Sequence, residues 1–123
     1  MKSKNNFSIA DRFRSFRFAF EGVAGFFRTE HNAWVHAAAT VVMLILAAVT
    51  KVSATEYCIL IIAAGFVWFA EIINTAVENM MDFVHPEKNP AVGRIKDLAA
   101  AAVLIASSTA FAAGLIIFIP KLF

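Results

Sequence analysis

The chain has 123 residues, of which 60% are hydrophobic, and its formal net charge at pH 7 is +2. A water-soluble domain of this size could not bury that much apolar surface, because small folds leave a large fraction of their surface in water. The single cysteine, Cys58, excludes a disulfide framework and a CxxC metal site within one chain. Composition therefore predicts a membrane protein with one domain over residues 1–123.

The first predicted element is an amphipathic helix over about residues 8–28. Its apolar side chains recur at helical spacing, while the arginines fall largely elsewhere on the helix. The apolar positions are Ile9, Phe13, Phe16, Phe20 and Val23. This pattern predicts a helix that lies in the membrane interface, with its arginines towards the lipid headgroups. A core-facing helix of a soluble domain would show the same spacing, but the apolar segments that follow favour the interface.

Three long apolar segments follow, over about residues 33–50, 57–84 and 97–119. Each is close to, or longer than, the roughly 20 residues that cross about 30 Å of hydrocarbon. The segments therefore predict three spanning helices in an all-α membrane protein. In the second connection, HPEKNPAVGRIK, Pro86 and Pro90 are expected to break the helix. Basic residues are concentrated before the first span and in this second connection, which predicts that both are cytoplasmic.

Polar residues interrupt the second span in the stretch EIINTAVENMMD, residues 71–82. Four of them share one helix face by their spacing: Glu71, Asn74, Glu78 and Asp82. A rise of about 1.5 Å per residue places Glu71 roughly 16 Å deeper than Asp82. Charged groups at hydrocarbon depth are costly, so they tend to mark function.

The predicted topology brings further charged residues to the same cytoplasmic boundary. Glu30 lies just before the first span, and Lys96 and Asp97 lie at the start of the third. Carboxylate and amide oxygens suit Mg²⁺, which proteins usually hold with one or two carboxylates plus phosphate oxygens. His31 and His36 are interpreted as interface or packing residues, because they form no HExxH-like pair. No P-loop or kinase glycine loop is present, but phosphoryl transfer mainly needs metal, positioning and charge neutralisation.

A small proton- or cation-binding transport subunit is an alternative of another class. Acids on one face of a spanning helix also suit a proton relay. The outer half of the second span, CILIIAAGFVW, offers no polar partner to continue such a path. Nucleotide binding separates the two hypotheses, since a relay does not need it.

The stretch EIINTAVENMMD, followed by GRIKDLAAAAVLIA, resembles the signature of the prokaryotic diacylglycerol kinase and undecaprenol kinase family. The family pattern is close to E-x-x-N-[ST]-A-[IV]-E-x-x-x-D, then K-D-x-x-x-A-A-V-L. The upstream SFRFAFEGVAGFFRTEHNAWVH resembles the interfacial helix and first span of these small integral-membrane lipid kinases. The resemblance covers about residues 15–105 and combines several specific motifs.

The resemblance implies ATP- and Mg²⁺-dependent phosphorylation of a lipid alcohol on the cytoplasmic side of the bacterial inner membrane. It implies that Glu71 is the base that takes the proton of the lipid hydroxyl. Glu30 and Glu78 would hold the metal that bridges the ATP phosphates, so they also belong to the ATP site. Lys96 and Asp97 would contact the nucleotide.

Asn74 and Asp82 would support this cluster. The resemblance further implies a homotrimer of three-span subunits, with each site shared between neighbours. The expected partners are ATP, the lipid alcohol and the surrounding membrane lipids, with no nucleic acid.

Two departures from the family pattern bear on the lipid substrate. The undecaprenol kinase branch usually reads E-x-N-x-R-I-H, and here TEHNAWVH keeps Glu30, Asn32 and His36 but has Trp34 where that branch has arginine. The diacylglycerol branch has Gly-Ser after its K-D-x, where this chain has Ala99 and Ala100. These features favour undecaprenol as the substrate, with diacylglycerol as the alternative.

Overall fold

A computed structural model describes residues 6–123, which form four helices and, within that range, no strand. The helices are α1 (Ile9–Thr29), α2 (His31–Thr50), α3 (Ala54–Val84) and α4 (Pro90–Leu122). The last three are long and apolar enough to cross a membrane. The predicted all-α fold with three candidate spans is therefore confirmed. The chain divides into two compact units, one up to Trp34 and one from Val35 onwards.

Helix α1 carries the predicted apolar stripe. Ser8 caps the start of the helix, and its hydroxyl accepts a hydrogen bond from the Asp11 amide at 3.3 Å. Glu30 caps the other end, where it has extended backbone angles and donates its amide hydrogen to the Phe26 carbonyl. All five apolar side chains of the stripe are exposed: Ile9, Phe13, Phe16, Phe20 and Val23. The amphipathic pattern is thus present, and its placement in the membrane interface stays a prediction.

The turn between α2 and α3 closes with a left-handed residue. Lys51 has a φ of 55°, and the Val52 amide donates to the Ala47 carbonyl at 3.2 Å. This is the hydrogen bond of a Schellman motif, and Val52 and Ala47 also share a buried cluster, as such motifs commonly do. Helix α3 then begins at Ala54, earlier than the predicted residue 57, because Ser53 and a glutamate form a capping box.

Helix α4 begins at Pro90, well before the predicted residue 97. The Asn89 side chain accepts hydrogen bonds from the amides of Ala91 and Val92, which caps the helix. Proline is favoured in the first turn, since its missing N–H would have no helical partner there. The expectation that Pro90 breaks the helix was therefore wrong, because Pro90 starts it.

Helices α3 and α4 pack as an antiparallel pair. An ion pair joins Glu56 to Lys121 at 3.2 Å near one end, and another joins Asp82 to Lys96 at 2.5 Å near the other. Apolar clusters fill the space between, one of them formed by Val67, Ala70 and Ala106 with Val103 and Ala110. With 31 residues, α3 is about 46 Å long, which exceeds the roughly 30 Å hydrocarbon core. Its polar end therefore has the length to extend beyond the hydrocarbon.

Helix α2 contacts α3 at two levels. In the first half of α2, the Thr40 hydroxyl accepts a hydrogen bond from the Trp68 indole of α3 at 3.0 Å. In its second half, Ala47 lies in one buried cluster with Leu60 of α3. Elsewhere a mainly apolar groove of about 540 Å³ runs along α2 from His36 to Leu46 and is lined on its other side by α3 and α4. Specific side-chain contacts, such as the one between Thr40 and Trp68, therefore hold the first half of α2 against α3, in place of continuous packing.

We expect Lys51→Gly to raise the free energy of unfolding by about 1 kcal/mol, because a side chain at positive φ costs roughly that much and glycine does not. Thermal unfolding of the purified protein in detergent measures the change. Lys51→Ala is the matched control, since it removes the charge but keeps the strained Cβ. Equal thermal midpoints for the glycine and alanine variants would contradict the strain argument.

Candidate active site

The polar residues of α3 form a gradient of exposure along the helix. Glu71 is buried, with 5% of its surface exposed. Asn74 and Glu78 are partly buried, and Asp82 is exposed. The predicted stripe thus runs from a buried carboxylate to an exposed one on the same helix.

The buried carboxylate of Glu71 has a partner on α2. The distance from His36 Nε2 to Glu71 Oε1 is 2.6 Å, which is a short hydrogen bond. The His36 side chain is 20% exposed and the Glu71 side chain 7%. A carboxylate taken out of water without a partner is strongly unfavourable, so this bond offsets much of the cost of burying Glu71.

Local contacts also define the surroundings of His36. Its ring packs edge-to-face with the Trp68 ring, with 6.2 Å between the ring centroids and an angle of 62° between the ring planes. The hydroxyl of Thr40, one turn further along α2, donates a hydrogen bond to the His36 backbone carbonyl at 2.7 Å. The imidazole therefore lies against an aromatic side chain of α3, and the backbone carbonyl of its own residue accepts a side-chain hydrogen bond within α2.

The middle of the stripe offers oxygen atoms suited to a hard cation. The Asn74 side-chain amide donates to Glu78 Oε1 at 3.3 Å. The other end of that amide, Asn74 Oδ1, is buried without a hydrogen-bond partner. Buried acceptors normally have partners, so this atom is available to a cation or a donor. A carboxylate beside an amide oxygen fits Mg²⁺, which takes oxygen ligands.

Protein side chains alone do not complete a metal site here. Within residues 6–123, no three His, Cys, Asp or Glu side chains gather closely enough to hold a metal ion. Such a donor set fits an ion that keeps waters and phosphate oxygens as ligands, which is the usual manner of Mg²⁺ at nucleotides.

The exposed end of the stripe meets the start of α4. Lys96 Nζ lies 2.5 Å from Asp82 Oδ1, which joins two of the predicted site residues. Asp97, the next residue, is exposed on α4. Glu30 belongs to the unit that ends at Trp34, so its approach to Glu78 stays a prediction.

His36 is the feature that sequence reasoning missed. Its interpretation as an interface or packing residue omitted the hydrogen bond to Glu71. The depth of each residue in its predicted span could have indicated this pairing. His36 and Glu71 both lie inside predicted spans, and the two spans, α2 and α3, are antiparallel. A histidine in an apolar segment could have been matched to the deepest acid of the neighbouring span.

Comparison with known proteins identifies the family. The prokaryotic diacylglycerol kinase family matches residues 17–118. The chain is 35% identical to the undecaprenol kinase of Bacillus subtilis, across 99% of this chain and 100% of that protein. It is 31% identical to a diacylglycerol kinase of Synechocystis sp., across 97% of this chain and 69% of that protein.

These matches extend over most or all of α1, the three candidate spans and the polar stripe of α3, and they confirm the resemblance carried by the motif. The chain therefore belongs to the prokaryotic diacylglycerol kinase family, which is a family of lipid kinases.

Proposed function

We propose that this chain, as one kinase domain over residues 1–123, transfers the γ-phosphoryl group of ATP to undecaprenol in a Mg²⁺-dependent reaction. The observation that carries the proposal is the placement of Glu71. It is a buried carboxylate at the deep end of a polar stripe whose other end is exposed and paired with a lysine. A lipid hydroxyl and a water-soluble nucleotide must approach a membrane kinase from those two sides.

Glu71 is proposed as the base that accepts the proton of the lipid hydroxyl. Oε1 is engaged by His36, so Oε2 is the oxygen left for the substrate. As the hydroxyl oxygen forms its bond to the γ-phosphorus, the bond from that phosphorus to the β-bridging oxygen breaks. The products are the lipid phosphate and ADP, and the hydroxyl proton resides on Glu71. General-base catalysis of this kind typically contributes about 10²- to 10⁴-fold in rate.

Glu78 and Glu30 are proposed to hold the Mg²⁺ that accompanies ATP. When bound, the ion neutralises charge on the phosphates during transfer. The contact between Asn74 and Glu78, and the free acceptor of Asn74, support a cation near the middle of the stripe. Asn74 is thereby a supporting residue that orients the Glu78 carboxylate.

Lys96 and Asp97 are proposed to contact the nucleotide near the cytoplasmic surface. The ammonium group of a lysine can neutralise phosphate charge. Asp82 forms an ion pair with the Lys96 ammonium group at the exposed end of the stripe. Asp82 would therefore support the site by positioning Lys96. The charge bias of the connections supports a cytoplasmic site in the bacterial inner membrane.

We further propose a homotrimer in which neighbouring subunits share each site. Most large apolar side chains of the three candidate spans are exposed in the single chain, including Ile62, Phe69, Leu104 and Ile116. That surface is large enough to meet both lipid tails and neighbouring subunits. A shared site would also let Glu30 complete the metal ligands from another chain.

Undecaprenol is the preferred substrate because the relative from Bacillus subtilis, matched along its whole length, is named an undecaprenol kinase. The absence of Gly-Ser after the K-D-x motif, where Ala99 and Ala100 stand, also favours it. Diacylglycerol is the second candidate because the Synechocystis relative is named a diacylglycerol kinase. Trp34, which departs from the undecaprenol kinase pattern, is exposed, and its indole donates to the Phe27 carbonyl.

The first test of this function is a substrate panel. Purified protein with ATP and Mg²⁺ should phosphorylate undecaprenol with a higher kcat/KM than diacylglycerol, measured by transfer of labelled phosphate to extracted lipid. A preference for diacylglycerol would establish the second candidate. No transfer to any lipid alcohol would contradict the kinase proposal.

Glu78→Gln should raise the Mg²⁺ concentration needed for half-maximal rate by at least about tenfold, because the substitution removes a charged ligand. Titrating Mg²⁺ at saturating ATP in the lipid assay measures this. Glu87→Gln is the matched control, since Glu87 is an exposed acid of the nearby connection. Glu30→Gln should behave like Glu78→Gln. An unchanged Mg²⁺ requirement in both site variants would overturn the metal assignment.

Glu71→Gln should keep ATP binding but lower transfer to the lipid by about 10²- to 10⁴-fold, because the amide cannot accept the proton. Equilibrium binding of a fluorescent ATP analogue, alongside the lipid assay, separates the two effects. If Glu71→Gln abolishes nucleotide binding while Glu78→Gln preserves it, the two glutamates have the opposite roles.

A further inference from the structure

We infer that His36 is a positioning residue for Glu71. In this assignment His36 donates Nε2–H to Glu71 Oε1 and thereby directs Oε2 towards the lipid hydroxyl. The inference deepens the proposed function, since it rests on Glu71 acting as the base. It concerns a residue of a different helix, which lies outside the motif of α3.

Burial makes the orientation of Glu71 dependent on its partner. With 5% of its surface exposed, Glu71 has little access to water, so a hydrogen bond from the protein takes the place of hydration at Oε1. Within residues 6–123, His36 is the group that forms a hydrogen bond or ion pair with this carboxylate. A hydrogen bond to an ionised group is roughly twice as strong as a neutral one, and at 2.6 Å this bond is short. The bond therefore fixes the rotation of the carboxylate more firmly than weaker contacts could.

The imidazole is itself held in place before substrate binds. Its ring packs edge-to-face with the Trp68 ring, with 6.2 Å between the ring centroids. A catalytic group held in advance loses little free energy to reorganisation during reaction. A displacement of about 1 Å at a reacting group can cost about 100-fold in rate. Loss of the His36 bond should therefore reduce turnover without affecting the exposed end of the stripe.

Two amide substitutions test this role directly. In His36→Gln, the side-chain amide can place an N–H donor near the position of Nε2, whereas in His36→Asn the amide is too short to reach Glu71. Both variants keep a polar amide in place of the ring, so differences in burial are small. The protein is purified as the full chain, and kcat and the KM for ATP are measured with undecaprenol.

We expect His36→Asn to lower kcat about 100-fold, with the KM for ATP within about twofold of that of the unmodified protein. His36→Gln should retain kcat within about tenfold, because the donor is restored. In a Glu71→Gln background, His36→Asn should cause no further loss, since residues that act as a unit are not additive.

Thr40→Val is the control for loosening of α2, because it removes the hydrogen bonds of the Thr40 hydroxyl with Trp68 and with the His36 carbonyl but leaves the side-chain atoms of the His36–Glu71 pair unchanged. Its kcat should stay within about threefold of that of the unmodified protein. Thermal midpoints of all variants show whether each one is folded. If His36→Asn is the only variant that does not fold, the kcat values of His36→Gln and Thr40→Val still test the inference.

Several outcomes would overturn the inference. Near-normal kcat in both His36 variants would mean that the bond does not position Glu71. Equal, severe losses in both would mean that the imidazole transfers a proton itself, since glutamine cannot. If Thr40→Val lowers kcat as much as His36→Asn does, His36 only helps to attach α2 to α3 and does not position Glu71. Normal kcat in Glu71→Gln, or no transfer by the unmodified protein, would instead refute the proposed function.

Discussion

The buried carboxylate of Glu71 is the constraint on which the arrangement of the spans depends. Placing a carboxylate among apolar helices costs several kcal/mol unless a partner satisfies it. The 2.6 Å contact with His36 supplies that partner, and it sets α2 against α3 with residue 36 opposite residue 71. The hydrogen bond between Thr40 and Trp68 follows the same antiparallel register. The cluster of Ala47 and Leu60 continues it further along α2.

The same physical cost explains why the polar residues of α3 form a gradient. Each turn away from Glu71 moves closer to water, so the next acids need less support. Glu78 is partly buried and contacts a single amide, while Asp82 is exposed and pairs with Lys96 at the surface. A lipid kinase has to bring a substrate from the bilayer to a nucleotide from water. A helix that passes from apolar surroundings to solvent along one polar face provides both environments within about three turns.

Local spacing was enough to predict much of this architecture. The intervals between Glu71 and Asp82 place the stripe on one face in any α-helix, so the stripe needed no knowledge of the fold. The helix starts were less predictable, because Ser53 and Asn89 resemble loop residues until their side chains are seen to cap amides. Pro90 was misjudged for a related reason, since proline ends a helix at interior positions and begins one in the first turn.

Contacts between helices lay beyond the sequence. Glu71 and His36 are far apart along the chain, and their pairing depends on the rotation and offset of two helices. Periodicity gives the faces of each helix but does not give that offset. The motif of α3 was therefore recognisable from the residues, whereas the α2 residue that holds its deepest member required the fold.

The most direct test is to observe the glutamate carboxyl groups in the membrane. Solid-state NMR of the protein with ¹³C-labelled glutamate side chains, in bilayers, can follow Glu71 and Glu78 as ligands are added, with each signal assigned by its Gln substitution. The account predicts that a lipid alcohol shifts the Glu71 signal and leaves Glu78 unchanged. A non-hydrolysable ATP analogue with Mg²⁺ should shift Glu78 and leave Glu71 unchanged. The opposite pattern, or a Glu71 signal that does not respond to any lipid alcohol, would contradict it.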